Sequence, residues 1–95
     1  MAAYCIGQIR VKEAEAWEQY RRRVGATIVE YGGEVLCRGE RQTVFSGAAG
    51  EHDRVVVLRF DNLGAAKRWH DSPEYQQLIP VRDRGADVTL VLYQD

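Results

Sequence analysis

The chain has 95 residues, of which 45% are hydrophobic and 28% are charged, and its formal net charge is -1. A chain of this length holds one hydrophobic core, so we expect a single domain over residues 1–95 with the composition of a soluble globular protein. The 13 basic and 14 acidic residues nearly balance, which gives no electrostatic reason to expect a nucleic acid or an anionic membrane as a partner. A core this modest favours self-association, because pairing hides further apolar surface.

The sequence shows no targeting signal and none of the common catalytic or metal-binding motifs. No apolar stretch approaches the roughly 20 residues of a membrane span. The first residues lack a basic segment followed by an apolar one, so no signal peptide is expected. Two cysteines do not make a disulfide framework, and a cytoplasmic location is therefore expected. CxxC, HExxH, P-loop and GxGxxG patterns are absent, and we predict no metal and no bound cofactor.

The first third of the chain predicts a strand followed by a long amphipathic helix. Tyr4 to Val11 alternates as a strand does, and its face with Cys5 and Ile9 is the one expected to meet the helices. A helix follows from Ala14 to about Tyr31, and Gly32-Gly33 ends it. Its apolar stripe follows spacings of three and four residues: Trp17, Tyr20, Val24, Ile28 and Tyr31. On its polar side, Glu18 is expected to pair with Arg22, four residues later.

The middle of the chain predicts two strands and a glycine-rich loop. Glu34 to Arg38 forms the second strand, with a bend or bulge at Gly39-Glu40, and residues 42–46 either continue it or fold back. Residues 47–53 are expected to form a loop that leaves His52 in solvent. The continuous apolar run from Arg54 to Phe60 indicates a strand buried on both faces, hence a central one.

The last third predicts helices and a final strand. Asp61 or Asn62 can cap a helix from Leu63 to His70. Ser72 can cap the next helix, and Pro73 suits its first position because a proline lacks the N–H that would go unpaired there. Helical structure then extends past Pro80 to Arg84, and Val88 to Tyr93 is the last strand.

The resulting order, β-α-β-β-α-β, is typical of an α+β protein with the split βαβ arrangement. Its antiparallel sheet carries the helices on one face, and its first and third strands are central. Cys5 and Cys37 then lie two strands apart, beyond disulfide reach, and both are predicted to be reduced, small core residues. The other sheet face must be solvated or covered by a partner, and its Val-rich strands favour burial.

Several stretches carry a family resemblance that runs nearly from end to end. They are Tyr4 to Val11 (YCIGQIRV), Tyr31-Gly32-Gly33, Arg38-Gly39, Arg54 to Phe60, Trp69 with Ser72-Pro73-Glu74-Tyr75, and Leu78 to Arg82. As a set they resemble the DUF1330 family of small bacterial proteins, within the dimeric α+β barrel superfamily. The resemblance implies ferredoxin-like subunits that join through their sheets into an eight-stranded barrel, and so a homodimer. It implies no reaction, because the superfamily includes cofactor-independent monooxygenases, haem-degrading enzymes, lactone isomerases and members without known catalysis.

Six side chains are the candidates for a site. An unperturbed histidine has a pKa near 6.5, which makes His70 suitable for proton transfer, although a half-exposed histidine at a helix end is the more ordinary interpretation. Asp71 is not automatically its partner, because adjacent helical residues do not face each other. Arg38 is the preferred anion contact for a carboxylate or enolate. The other four can line a pocket for a planar apolar ligand or can simply be core: Trp17, Tyr20, Trp69 and Tyr75.

Arg10 and Arg59, like Arg38, lie on predicted strands. An arginine on a strand needs a partner or a wet cavity. The alternative to an anion clamp for all three is an ion pair with Glu34, with Glu40 or with an acidic group across the dimer.

Two functions from different classes remain open. The first is a cofactor-independent small-molecule enzyme, monooxygenase- or isomerase-like, with a pocket between sheet and helices in which His70 moves a proton and Arg38 holds an anion. The alternative is a non-catalytic dimeric ligand-binding or structural module, favoured by the lack of any compact catalytic motif. Haem binding is a third hypothesis, and it would need a histidine that faces a wide cavity.

Overall fold

The backbone forms one four-stranded antiparallel sheet and four helical segments. In the computed structural model, which describes residues 1–95, the strands are β1 (Ala3–Val11), β2 (Glu34–Glu40), β3 (Arg54–Phe60) and β4 (Ala86–Gln94). The helices are α1 (Ala14–Glu30), α2 (Leu63–Asp71), α3 (Pro73–Gln76) and α4 (Ile79–Gly85). The sheet order is β2-β3-β1-β4, with every neighbouring pair antiparallel. The predicted α+β, ferredoxin-like class and the central places of the first and third strands are confirmed.

The core lies between one face of the sheet and the helices. From the strands, Ala3, Cys5, Ile9, Leu58 and Phe60 are buried on this face. They meet the apolar stripe of α1, of which Trp17, Tyr20, Val24 and Ile28 are buried and Tyr31 is half-buried. The largest fully buried side chains are Trp69, Tyr75, Phe60 and Leu78. The face opposite the helices, which we call the open sheet face, carries the other alternating set of strand residues.

The helix ends follow the local chemistry of the sequence. Asn62 caps α2 by accepting a 2.8 Å hydrogen bond from the Ala65 N–H. Ser72 caps α3 by accepting from the Tyr75 N–H at 3.1 Å, directly before Pro73. Gly32 takes a positive φ of 80° after α1, a conformation that glycine adopts at little cost. These three predictions are confirmed.

The second strand differs from the prediction in length and in the place of its irregularity. It extends to Glu40, and the bulge lies between Val35 and Cys37, not at Gly39-Glu40. Residues 41–53 form no strand. The Arg41 N–H donates to the Asp53 carbonyl at 2.7 Å and closes the base of this loop.

Two further sequence predictions are wrong in part. Cys37 is exposed and not a core residue, because β2 is an edge strand and Cys37 lies opposite Val57 on the open sheet face. Cys5 is buried, and β3 separates the two unpaired thiols as expected.

Glu18 pairs with Arg21 at 3.3 Å and not with Arg22, since residues three apart are also neighbours on a helix.

None of the helices combines the length and the apolar character that crossing a membrane requires.

Candidate functional site

A cavity of about 490 Å³ lies between α1 and the helix-covered face of the sheet. Of the 20 residues around it, 13 are hydrophobic. The sheet contributes small or branched residues such as Gly7, Val56 and Val88 to its floor. We call this space the α1–sheet cavity. Its size and its mainly apolar lining are those of a site for a small molecule.

Two aromatic pairs form the wall of the α1–sheet cavity. Trp17 and Tyr20, three residues apart on α1, stack with ring centroids 5.2 Å apart. Trp69 and Tyr75 pack against each other with centroids 4.3 Å apart. The second pair meets because Ser72 ends α2 and starts α3, so the chain turns and Tyr75 folds back onto Trp69. The junction between the two helices therefore builds half of the wall.

Charged residues of the lining gather where β2 ends and β3 begins. Arg38, Glu40 and Arg54 line the cavity there, and Arg21 of α1 joins them. Arg21 is paired with Glu18, whereas Arg38 and Arg54 have no acidic group within 4.0 Å. Because Glu18 offsets Arg21, the two unpaired arginines against Glu40 leave this rim with a net positive charge, and an arginine without a partner is suited to hold a carboxylate.

The bulge in β2 is the reason that Arg38 reaches this rim. Val35 lies opposite Leu58, which faces the helices, while Cys37 lies opposite Val57 and Arg38 opposite Val56. Without the extra residue, strict alternation would put Arg38 on the face opposite to that of Val35. The bulge returns Arg38 to the helix side, where it lines the cavity with Val35.

A chain of hydrogen bonds leads from the cavity wall to the surface of α4. The hydroxyl oxygens of Tyr20 and Tyr75 are 3.0 Å apart. Arg82 Nη1 donates to the Tyr75 hydroxyl at 3.0 Å, and Arg82 Nε donates to Asp83 at 3.0 Å. Burial, and next the neighbouring Tyr75, raise the pKa of Tyr20 far above its ordinary value, so its hydroxyl is protonated at neutral pH.

Sequence reasoning missed Arg82. The signal that could have found it is its spacing of seven residues from Tyr75, which is two helical turns across the nearly continuous helical segments α3 and α4.

His70 does not line the α1–sheet cavity, although its ring packs against two residues that do: its centroid is 6.2 Å from that of Trp69 and 5.5 Å from that of Tyr75. The other five predicted site residues all line the cavity: Trp17, Tyr20, Arg38, Trp69 and Tyr75. The side chain of His70 is 46% exposed, and its Nδ1 is 3.6 Å from Asp71 Oδ1, which is too long for a hydrogen bond that would orient the ring. It borders a separate pocket of about 240 Å³ on the α2 side of Trp69.

The remaining basic candidates have structural partners outside the cavity. Arg10 pairs with Glu51 at 3.5 Å and Arg59 with Asp61 at 3.1 Å, neither of which was among the expected partners. His52 is half-buried and therefore less exposed than predicted, with its Nε2 3.5 Å from Asp87. No three His, Cys, Asp or Glu side chains come together as a metal site would require.

The sheet order, the helices on one face and the cavity between them define a ferredoxin-like α+β protein. The chain matches the family described as "Domain of unknown function (DUF1330)" over residues 2–95, and it belongs to that family. No curated protein matches the chain.

Solved structures share the fold at low sequence identity. The RPA0582 protein of unknown function from Rhodopseudomonas palustris has a TM-score of 0.82 and 20% identity, over 99% of this chain and 82% of its own. SnoaB, a cofactor-independent oxygenase from Streptomyces nogalater, has a TM-score of 0.72 and 12% identity, over 99% of this chain and 92% of its own. A dimeric ferredoxin-like protein of unknown function from Thermobifida fusca has a TM-score of 0.68 and 17% identity, over 100% of this chain and 92% of its own. At these identities the likeness concerns the fold alone.

Proposed function

We propose that this protein is a homodimer that binds a compact aromatic carboxylate or enolate in the α1–sheet cavity. The observation that carries the proposal is the combination of an aromatic wall with Arg38 and Arg54, two rim arginines that have no acidic partner. An apolar wall favours a planar ring by removing its surface from water. A guanidinium beside that wall holds a carboxylate through two parallel hydrogen bonds.

A charged and a neutral probe of the same shape test this proposal. Titration with 2-naphthoate should quench the fluorescence of Trp17 and Trp69, which both line the cavity, and 2-naphthamide should bind more weakly. Arg38→Gln should lower the affinity for 2-naphthoate by roughly tenfold and leave 2-naphthamide nearly unchanged, because a hydrogen bond to a charged group is worth about 1.5–3 kcal/mol.

Arg22→Gln is the matched control, since Arg22 is exposed on α1 and does not line the cavity. Absence of saturable quenching up to about 1 mM, which corresponds to a binding free energy weaker than about -4 kcal/mol, would contradict the proposal. Equal binding of the two probes to the wild type would contradict the anionic preference.

The open sheet face supports the homodimer. One row of apolar side chains crosses all four strands of this face: Cys37, Val57, Ile6 and Val91. Val91 is 40% exposed and Tyr93 is 54% exposed, and no helix covers them. A second copy would bury this row, and the Thermobifida fusca protein of the same fold is described as dimeric.

Light scattering tests the dimer. The wild type should show twice the chain mass of 10.8 kDa at micromolar concentration. Val91→Lys should shift the mass toward the monomer, because it would place a charge in the buried row. Val29→Lys, on a residue of α1 that is 70% exposed, should leave the mass unchanged. A wild-type mass of one chain would refute the dimer.

Cofactor-independent catalysis, monooxygenase- or isomerase-like, is the second candidate. Two observations favour it: the fold shared with the oxygenase SnoaB, and the hydroxyl of Tyr20, a residue of the cavity wall. His70, the sequence-based candidate for proton transfer, does not line the cavity. The only carboxylate that does is that of Glu40.

Two measurements test for catalysis with 2-tetralone as the probe. NMR follows deuterium exchange at its acidic carbon, and an oxygen electrode follows oxygen uptake. An enzyme should accelerate one of the two above the buffer rate, and Glu40→Gln should reduce the acceleration while His70→Ala should not. If both rates equal those in buffer, the catalytic proposal is contradicted and only the binding function remains.

A further inference from the structure

The hydrogen bonds from Arg82 to Tyr75 and between Tyr75 and Tyr20 have a direction. An arginine has only donors, so the Tyr75 oxygen must accept from Arg82 Nη1 across their 3.0 Å contact. The 3.0 Å contact between the two hydroxyls uses one further proton, which belongs either to Tyr20 or to Tyr75. The two arrangements leave a different proton without a partner.

If Tyr20 were the donor, the Tyr75 proton would remain unpaired. Tyr75 is 0% exposed and its hydroxyl has no other partner in the protein, and a buried unsatisfied donor is strongly unfavourable. If Tyr75 donates to Tyr20, the spare proton is that of Tyr20, which is 9% exposed and lines the α1–sheet cavity. The positive Arg82 also draws electron density from the Tyr75 oxygen and makes Tyr75 the better donor of the two. The second arrangement is therefore favoured.

We propose that the Tyr20 hydroxyl donates a hydrogen bond to an oxygen of the bound molecule, and that Arg82 is a positioning residue that fixes this direction through Tyr75. The inference rests on the proposed function and narrows its ligand class. The ligand carries an acceptor oxygen, such as a ketone carbonyl or a phenolate, besides the anionic group held at the arginine rim. Arg82 does not line the cavity, so it acts without touching the ligand.

A pair of neutral probes, compared in the wild type and in Tyr20→Phe, tests this hydrogen bond without the negative charge that the arginine rim recognises. 2-Acetylnaphthalene carries an acceptor oxygen, and 2-ethylnaphthalene has nearly the same shape without one. The wild type should prefer the acetyl compound by roughly fivefold, in line with the net value of one neutral hydrogen bond. Tyr20→Phe should abolish this preference, and Arg82→Met should reduce it by roughly twofold or more.

A spectroscopic readout separates positioning from mere folding. With a ¹³C label at the acetyl carbonyl, its NMR resonance should move downfield on binding to the wild type, because hydrogen bonding deshields a carbonyl carbon. Arg82→Met should give a smaller downfield shift at saturation, even where its affinity is little changed. Tyr31→Phe is the matched control, since the Tyr31 hydroxyl donates to Glu74 at 3.0 Å and does not line the cavity.

The outcomes distinguish this inference from the proposed function. If 2-naphthoate binds while the wild type shows no preference for the acetyl compound, the inference is overturned and the proposed function stands. If Tyr20→Phe keeps the full preference, Tyr20 is not the donor. If circular dichroism shows that Tyr20→Phe does not fold, the carbonyl resonance bound to Arg82→Met is the deciding measurement. A downfield shift equal to that of the wild type refutes the role of Arg82, and a smaller shift supports it.

Discussion

The indole N–H of Trp69 donates a 3.0 Å hydrogen bond to the Thr27 hydroxyl and thereby joins α2 to α1. The same hydroxyl donates to the Val24 carbonyl at 2.7 Å, so it is used both as donor and as acceptor. Thr27 and Trp69 are both buried. This contact fixes the orientation of an indole ring that also forms part of the cavity wall.

Thr27→Val should destabilise the protein by about 1–3 kcal/mol, because the valine keeps the shape but leaves the indole N–H without a partner. The loss is measured by urea unfolding at one fixed protein concentration, since an oligomer's stability depends on concentration. Ala26→Val, at the exposed neighbouring position, is the control for the helix propensity of a β-branched residue. Equal stabilities for the two variants would show that this hydrogen bond contributes nothing.

Gly85→Ala should destabilise the fold strongly, by about 1–3 kcal/mol or more. A Cβ at this position would overlap the Trp17 backbone nitrogen and lie 2.7 Å from its Cα, and a helix backbone cannot yield as a flexible side chain can. Gly25→Ala on α1 is the opposite case, with no atom within 4 Å of the added Cβ, and should stabilise by about 1 kcal/mol. Thermal unfolding of the two variants should therefore move in opposite directions, and shifts of the same sign would refute this account.

The two thiols should react very differently with Ellman's reagent. Burial raises the pKa of Cys5 to about 11, while Cys37 is exposed, and only a thiolate reacts. In the Val91→Lys variant, whose open sheet face is uncovered, we expect at pH 8 one rapid equivalent per native chain and two after denaturation. In the wild-type dimer Cys37 should react more slowly, because it lies in the row that the partner covers. Cys37→Ser should remove the rapid one. A rapid second equivalent from native protein would contradict the burial of Cys5.

The raised pKa of Cys5 also has a consequence for stability. Its folded value of about 11 lies above the ordinary 9.0, so its stabilising contribution is complete below pH 9 and is lost as the pH rises toward 11. Cys5→Ala should therefore lower the melting temperature less at pH 10.5 than at pH 8. A deficit that does not shrink above pH 9 would contradict this linkage.

Glu74 should stabilise the protein above its ordinary pKa of 4.5 and lose that effect in acid. Its own backbone N–H and then the Tyr31 hydroxyl lower the pKa of its carboxyl group, so folding favours the ionised form and the benefit disappears as the pH falls through the lowered value. The melting temperature of Glu74→Gln should lie below that of the wild type at pH 7 and approach it below pH 4. Tyr31→Phe should show the same trend to a smaller extent, and a difference that does not depend on pH would refute the linkage.

Local sequence chemistry was sufficient for the elements and their order. The stripe from Trp17 to Tyr31 predicted α1, the apolar run from Arg54 predicted the central β3, and Ser72-Pro73 predicted the start of α3. Each of these signals depends on periodicity or on a single backbone cap, which neighbouring residues decide. The bulge lies about three residues before the predicted one, because its position depends on how β2 pairs with β3 and not on the glycine at position 39.

The sequence by itself determined the ferredoxin-like topology and the residue types of the aromatic wall. Only the tertiary structure decided which polar groups stand beside that wall. His70 is not one of these groups, because its side chain leaves α2 away from the cavity. Arg38 is one of them, because one extra residue in β2 reverses the face on which this arginine lies. The tertiary structure also added Arg82, which meets Tyr75 only once α3 and α4 align. Strand pairing and helix packing join residues far apart in the chain, and no local pattern encodes the distance between them.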